Sequence, residues 1–116
     1  MKKCECCCTV EDKFKAAVHD PHMKLVSTYN LMRELYRQQK LLLYMSDCDF
    51  EKWFEEVKLE KHYTYEAYLK CGGCGKIYHF GVCIRGEPVY EVLDWEPDKE
   101  EFIYQCLRNG KQFYES

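Results

Sequence analysis

Residues 63–84 read YTYEAYLKCGGCGKIYHFGVCI, two aromatic segments on either side of a glycine-rich turn. Apolar or aromatic residues occupy every second position from Tyr63 to Cys71, which is the pattern of a strand with one buried face. Residues Ile77 to Ile84 are rich in β-branched and aromatic types, which favour strands. The stretch therefore predicts two antiparallel strands joined by the turn Cys-Gly-Gly-Cys-Gly.

A third strand is predicted after this pair. Gly86 and Pro88 are typical turn residues, and the apolar segment from Val89 to about Trp95 follows them. The middle of the chain therefore reads as a three-stranded antiparallel meander.

Helical patterns precede the meander. Thr9 and Asp12 resemble a capping box at the start of a short helix that Asp20-Pro21 ends. From His22 the apolar residues recur at helical spacing as far as Leu43, which predicts one long amphipathic helix. Its last part, residues 40–44, can also be read as a strand. A short helix is predicted over 50–57, with Trp53 on its apolar face and glutamates on the other.

One more helix follows the meander. Glu96-Pro97-Asp98 is a typical helix start and Asn109-Gly110 a typical end. The predicted buried stripe consists of Phe102, Ile103, Cys106 and Leu107. We therefore predict an α+β fold, in which N-terminal helices and a C-terminal helix pack on one face of a small antiparallel β-meander. Residues 1–116 are expected to form a single domain, and the order of the cysteine-rich residues 1–8 is left open.

Composition limits the possible functions and locations. The chain has 116 residues and a formal charge of −3, so a nucleic-acid groove, which requires a basic stripe, is disfavoured. The N-terminus has no apolar signal segment, and the longest apolar run is too short for a membrane span. Nine cysteines, an odd number, favour thiols or metal ligands over a disulfide framework. We expect a cytoplasmic protein.

The Cys-Gly-Gly-Cys turn leaves two interpretations open. A strand, two cysteines with glycines, and a second strand is the layout of a zinc knuckle, and Cys4 with Cys7 would supply the second pair of ligands. The four-cysteine set Cys4, Cys7, Cys71 and Cys74 would then hold one structural zinc. The other interpretation is a glycine-rich hairpin with reduced thiols. A thioredoxin-like role is disfavoured, because no helix follows the motif to lower a thiol pKa.

No pattern in the chain predicts an enzyme. His62 and His79 lie on adjacent predicted strands near Cys83, but no residue at a suitable spacing would orient such a pair. The glycine-rich turn leads into a strand and lacks the phosphate-binding pattern. We therefore predict a binding protein without a catalytic residue.

Acidic residues and tyrosines suggest where a partner binds. The chain has ten tyrosines, which supply rigid contact area, and carboxylates that speed association with a basic protein. Solvated charge runs explain the same pattern without any partner. The predicted partner-binding residues are Asp47, Asp49, Glu51, Glu55 and Glu56.

Three segments resemble a known class of proteins. They are YLKCGGCGKIYHFGVCIRGEPVYEVL at 68–93, the preceding FEKWFEEV and the following WEPD. Together they are similar to the small cytoplasmic immunity proteins encoded beside bacterial polymorphic and contact-dependent toxins. The resemblance implies a non-enzymatic inhibitor that binds one cognate toxin domain, often a nuclease. A zinc-stabilised regulatory or adaptor module is the alternative.

Overall fold

Helices and strands are arranged in an α+β fold. The computed structural model describes residues 5–58, 64–83 and 86–115, and side chains from residue 9 onward. The elements are, in chain order, α1 (Glu5–His19), α2 (Leu25–Arg37), β1 (Leu41–Ser46), a 3₁₀ turn (Phe50–Lys52), α3 (Trp53–Lys58), β2 (Thr64–Cys71), β3 (Ile77–Cys83), β4 (Val89–Leu93) and α4 (Lys99–Arg108).

The sheet is antiparallel, with the strands in the order β1-β2-β3-β4. The predicted strand pair is confirmed: β2 and β3 pair from Thr64 opposite Cys83 to Lys70 opposite Ile77. The predicted third strand, β4, pairs with β3. A fourth strand, β1, extends the predicted meander along the other edge of β2.

The helix α2 is shorter than the apolar pattern predicts. It ends at Arg37, and Gln39 adopts a left-handed conformation with a φ of 62°. The Lys40 N–H then donates to the Leu35 carbonyl at 2.9 Å, a bond that closes a helix end. The chain turns back and enters β1, so one long helix to Leu43 was wrong and the strand interpretation of residues 40–44 was right.

The start of α1 also differs from the prediction. The helix begins at Glu5, so Thr9 lies within it and the predicted Thr9–Asp12 capping box does not begin the helix. Its end is confirmed, since α1 stops at His19, two residues before Pro21. The short helix over 50–57 is confirmed as a 3₁₀ turn followed by α3, and the Asp49 side chain caps the turn by accepting from the Glu51 N–H.

An aromatic core lies between the first three helices and one face of the sheet, here called the inner face. On β2, alternate side chains are buried on that face, as the period-2 pattern predicts. Tyr29 of α2 stacks on Trp53 of α3 with ring centroids 5.6 Å apart, and Trp53 contacts Phe80 of β3 at 4.6 Å. Rings of this size dominate the area buried on folding.

The helix α4 packs on the opposite, outer face of the sheet, so the prediction that all helices share one face was wrong. Phe102 packs edge-on against the outward-facing Tyr68 at 5.6 Å, and Tyr44 donates to the Pro97 carbonyl at 3.0 Å. Of the predicted stripe, Cys106 is buried, Phe102 and Ile103 are half-buried and Leu107 is 73% exposed. The predicted ends are confirmed, with Asp98 capping the first turn. Both faces of the sheet are therefore covered, the outer one only in part.

Candidate functional site

A cleft separates α4 from the uncovered part of the outer face. Its volume is about 460 Å³. Aromatic rings on its walls are those of Tyr68, Trp95 and Phe102. Carboxylates around it are those of Asp47, Glu66, Asp98 and Glu101, and the amine of Lys111 lies among them. The cleft therefore combines apolar rings with an excess of negative charge.

A buried ion pair lies at the base of the cleft. Lys111 Nζ lies 2.9 Å from Asp47 Oδ2, and the two side chains are only 9% and 2% exposed. The same amine donates to the Thr64 carbonyl at 2.7 Å, and Asp47 Oδ1 accepts from the Glu66 N–H at 2.9 Å. Burial raises the pKa of Asp47, whereas these two donors oppose the rise. The opposite charges of Lys111 and Asp47 neutralise each other. Their hydrogen bonds attach the segment after α4 to the end of β1 and the start of β2.

The backbone at the end of α4 positions Lys111. Gly110 has a φ of +69°, and the Lys111 N–H donates to the Cys106 carbonyl at 2.8 Å. This is the helix ending for which glycine is favoured. The turn reverses the chain so that the lysine amine reaches Asp47.

A histidine between two carboxylates lies on the outer face beside the cleft. His79 Nε2 is 3.2 Å from Glu66 Oε1, and Nδ1 is 3.2 Å from Glu91 Oε1. The imidazole also stacks on Tyr68 with centroids 4.3 Å apart. The hydrogen bond from His79 is the main reason that the pKa of Glu66 is lowered. Glu66 therefore remains ionised at the cleft wall at neutral pH.

The rim of the cleft is aromatic and exposed. Trp95, between β4 and α4, is 59% exposed and lines the cleft. Glu101 accepts a hydrogen bond from Gln105 at 3.0 Å and lies on the α4 side. Aromatic faces and carboxylates are the groups that bind a guanidinium or an ammonium. The geometry therefore suits a cationic side chain better than an anion.

The predicted partner-binding carboxylates do not share one exposed surface. Asp47 is buried beneath the cleft, and Asp49 is half-buried as a cap. Glu51 accepts from the Arg37 guanidinium at 2.8 to 3.1 Å. Glu55 is exposed and Glu56 is half-buried. Of the five, only Asp47 lines the cleft, where Lys111 neutralises it.

The predicted metal ligands are only partly covered by the structure. Cys71 ends β2 and is buried on the inner face, and Cys74 is exposed in the β2–β3 turn. Cys4 lies outside the described residues, and Cys7 belongs to α1 with its side chain outside the description. Among the described side chains, no three of histidine, cysteine, aspartate or glutamate are grouped as metal ligands.

A cysteine–histidine nucleophile is not formed by His79. Both of its ring nitrogens face glutamates, and His62 lies outside the described residues. Cys106, which lines the cleft, has its pKa raised by burial to about 11. A thiol with this pKa is protonated at neutral pH and is a poor nucleophile.

Several residues in the cleft or beside it were not predicted from the sequence. Lys111 carries no motif, and its partner is 64 residues away. Glu66, His79 and Glu91 occupy polar positions of alternating strands, so their outward orientation could be read from the pattern. Their proximity depends on the strand register, which the sequence does not state.

No family of known proteins, no curated protein and no solved structure matches this chain. Within the described part of the chain, no helix has the length and apolar character needed to cross a membrane. The function is therefore inferred from the cleft itself.

Proposed function

We propose that this protein is a non-enzymatic inhibitor that binds and neutralises a cognate bacterial toxin domain, with the cleft receiving a basic side chain of that domain. The observation that supports this most is that the exposed Trp95 lines the same cleft as the carboxylates of Glu66 and Glu101. The protein would act in the cytoplasm, by protein–protein contact alone.

The chemistry of the cleft favours an arginine of the partner. A planar guanidinium stacks on an indole or phenol ring and bonds carboxylates through its edge. Such an arginine, surrounded by rings that exclude water, is typical of the few residues that supply most of the energy at an interface. Trp95, Tyr68 and Phe102 would supply those rings.

The charge of the cleft also fits a nuclease as the toxin. A nuclease binds phosphates through lysines and arginines. An inhibitor that covers those groups needs carboxylates at matching positions, and opposite charges also speed the encounter. The ionised Glu66 and Glu101 meet this need.

Co-expression with the toxin domain encoded by the adjacent gene tests the proposal. The wild-type chain should be recovered with the toxin domain and restore growth. Glu101→Gln should weaken recovery, because it removes one cleft carboxylate while keeping the side-chain shape. Glu55→Gln is the matched control, since it makes the same change on an exposed helix position outside the cleft. The proposal fails if the wild-type chain neither binds nor protects.

A zinc-stabilised regulatory or adaptor module is the second candidate. The observation that favours it is the backbone geometry of the β2–β3 turn, where the Gly73 N–H faces the Cys71 sulfur at 3.3 Å. Such a module would also bind through the cleft. The two candidates differ in the partner, which need not be a toxin for an adaptor.

A further inference from the structure

We propose that the cleft is a binding site for small molecules that carry a guanidinium group, and that it binds them without any partner protein. This deepens the proposed function and rests on it in one respect: a free guanidinium compound would compete with the basic side chain of the partner. Binding of the free compound is measured on the chain alone. A failure here can therefore be told apart from a failure of the proposed function.

Three carboxylates of the cleft each have one oxygen that is held within the protein. Glu66 Oε1 lies 3.2 Å from His79 Nε2, and Glu101 Oε1 accepts from the Gln105 amide at 3.0 Å. Asp98 Oδ1 accepts from two backbone N–H groups in the first turn of α4, at 2.9 and 3.2 Å. In the described part of the chain, the second oxygen of each carboxylate has no donor. The first bond orients the group, and the second oxygen is available to a ligand.

The amine of Lys111 has no hydrogen bond left for a ligand. It donates to Asp47 Oδ2 at 2.9 Å and to the carbonyl and hydroxyl oxygens of Thr64 at 2.7 and 3.0 Å. An ammonium group has three donors, so these contacts use all of them. No other basic side chain of the described residues lines the cleft. An anionic ligand would therefore find no cation that is free to bind it.

Aromatic rings line the same cleft. Trp95 is 59% exposed, so more than half of its surface is open to a ligand. Tyr68 and Phe102 hold each other edge-on with centroids 5.6 Å apart, which fixes these two rings. A flat, weakly hydrated cation is attracted to the face of such rings. The cleft therefore offers apolar surface and carboxylate acceptors to one ligand.

A guanidinium group suits this combination better than an ammonium group. Its five N–H donors lie in one plane and can reach more than one carboxylate, while its faces stack on rings. An ammonium is compact and strongly hydrated, so placing it beside rings costs more solvation. The volume of about 460 Å³ lies in the range of small-molecule sites, about 300–1,000 Å³. A whole small molecule can therefore enter the cleft.

Calorimetric titration of the chain with agmatine, a small alkylguanidinium, is the first measurement. We expect one site with a Kd of about 1 mM or lower, which is the range for a ligand of this size. Butane-1,4-diamine has the same carbon chain with an amine in place of the guanidinium, and it should bind at least tenfold more weakly. No binding of agmatine at about 20 mM would overturn the proposal. Equal affinities for the two compounds would overturn the preference for guanidinium.

Variants then locate the site. Trp95→Ala and Glu66→Gln should each weaken agmatine binding about tenfold, because one removes a ring and the other a charged acceptor. Neither side chain is fully buried, so both variants should stay folded. Tyr104→Ala and Glu55→Gln make the same changes outside the cleft and should bind as the wild type does. Wild-type affinity in both cleft variants, or equal weakening in the controls, would overturn the assignment to the cleft.

Competition with the toxin domain separates the two proposals. Agmatine should reduce recovery of the toxin domain as it fills the cleft. If the toxin domain binds and agmatine does not, the guanidinium site is wrong and the proposed function stands. If agmatine binds and the toxin domain does not, the proposed function is wrong and the guanidinium site stands. Binding of both without competition would contradict a shared site.

Discussion

Lys111 Nζ and Asp47 Oδ2 lie 2.9 Å apart beneath the cleft and join the C-terminal segment to the end of β1. Ser46 and Tyr114 add two backbone hydrogen bonds, of 2.9 and 2.8 Å, between the same two parts of the chain. Because Lys111 follows the end of α4 and the pair lies at the base of the cleft, the pair helps to hold the helix against the sheet. The shape of the cleft therefore depends in part on two side chains that are almost fully buried at its base.

Lys111→Met should destabilise the protein by about 3–5 kcal/mol, because it leaves the carboxylate of Asp47 buried without its cation. Urea unfolding followed by tryptophan fluorescence measures the change. Lys70→Met is the control, since its amine pairs with Glu96 at the surface, and its unfolding midpoint should hardly move. Equal losses in the two variants would show that the buried pair contributes no more than an exposed one.

Glu66→Gln should make the free energy of unfolding fall less steeply as the pH is lowered. The pKa of Glu66 is lowered in the folded protein, so its contribution is present above its ordinary pKa of 4.5 and is lost as the pH falls through the folded value. Asp47 acts in the opposite direction: its raised pKa means that its contribution falls as the pH rises from 3.8 toward the folded value. Unfolding free energies from pH 7 to pH 3 separate the two effects. An unchanged acid limb in Glu66→Gln would contradict the stabilising role of His79.

Gly75→Ala should cost about 1–2 kcal/mol of stability, because alanine is strained in the left-handed conformation that Gly75 adopts. A steric clash is not the cause of this loss, since an added Cβ would meet only Lys70 Cε, at an ordinary contact distance of 3.8 Å. Gly72→Ala is the matched control in the same turn. Its Cβ would make an ordinary contact of 3.5 Å, so stability should change little. If both variants are equally stable, the conformation assigned to the turn is wrong.

Cys106 should react slowly with iodoacetamide in the native protein at pH 7. Burial raises its pKa to about 11, so its thiolate fraction is roughly 300-fold below that of a thiol with a pKa of about 8.5. Burial also raises the pKa of Cys48, which should be protected as well. Mass spectrometry should find Cys74, which is exposed, modified before the buried Cys48 and Cys106. Early modification of Cys106 would contradict the buried position assigned to it.

Local patterns account for the part of the fold that the sequence predicted. Alternating residues and glycine turns gave β2, β3 and β4, because strand period and turn chemistry act over a few neighbouring residues. The strand β1 was predicted only as an alternative to helix, since Leu41 to Met45 is a short apolar run that suits a helix or a strand. The left-handed residue after α2 is Gln39 rather than the usual glycine, so the end of the helix is not marked in the sequence. Residues 41–46 form a strand because they pair with β2.

Long-range contacts account for what the sequence did not predict. The face on which α4 packs depends on the path of the chain after β4, and a stripe of Phe102, Ile103 and Cys106 suits either face of the sheet. Three contacts in and beside the cleft join residues that are distant in the sequence, so no local pattern predicts them. They are Lys111 to Asp47, His79 to Glu66, and Phe102 to Tyr68. Each depends on the strand register or on the direction in which a helix leaves the sheet.

The affinity of Trp95→Ala for the toxin domain encoded by the adjacent gene tests the central claim most directly. Trp95 forms the exposed aromatic wall of the cleft, so calorimetry should show binding weakened at least tenfold relative to the wild-type chain. Tyr104→Ala removes an aromatic ring of similar exposure, 58%, outside the cleft and should bind as the wild type does. Wild-type affinity in Trp95→Ala, or equal weakening in both variants, would contradict a cleft that receives the partner's basic side chain.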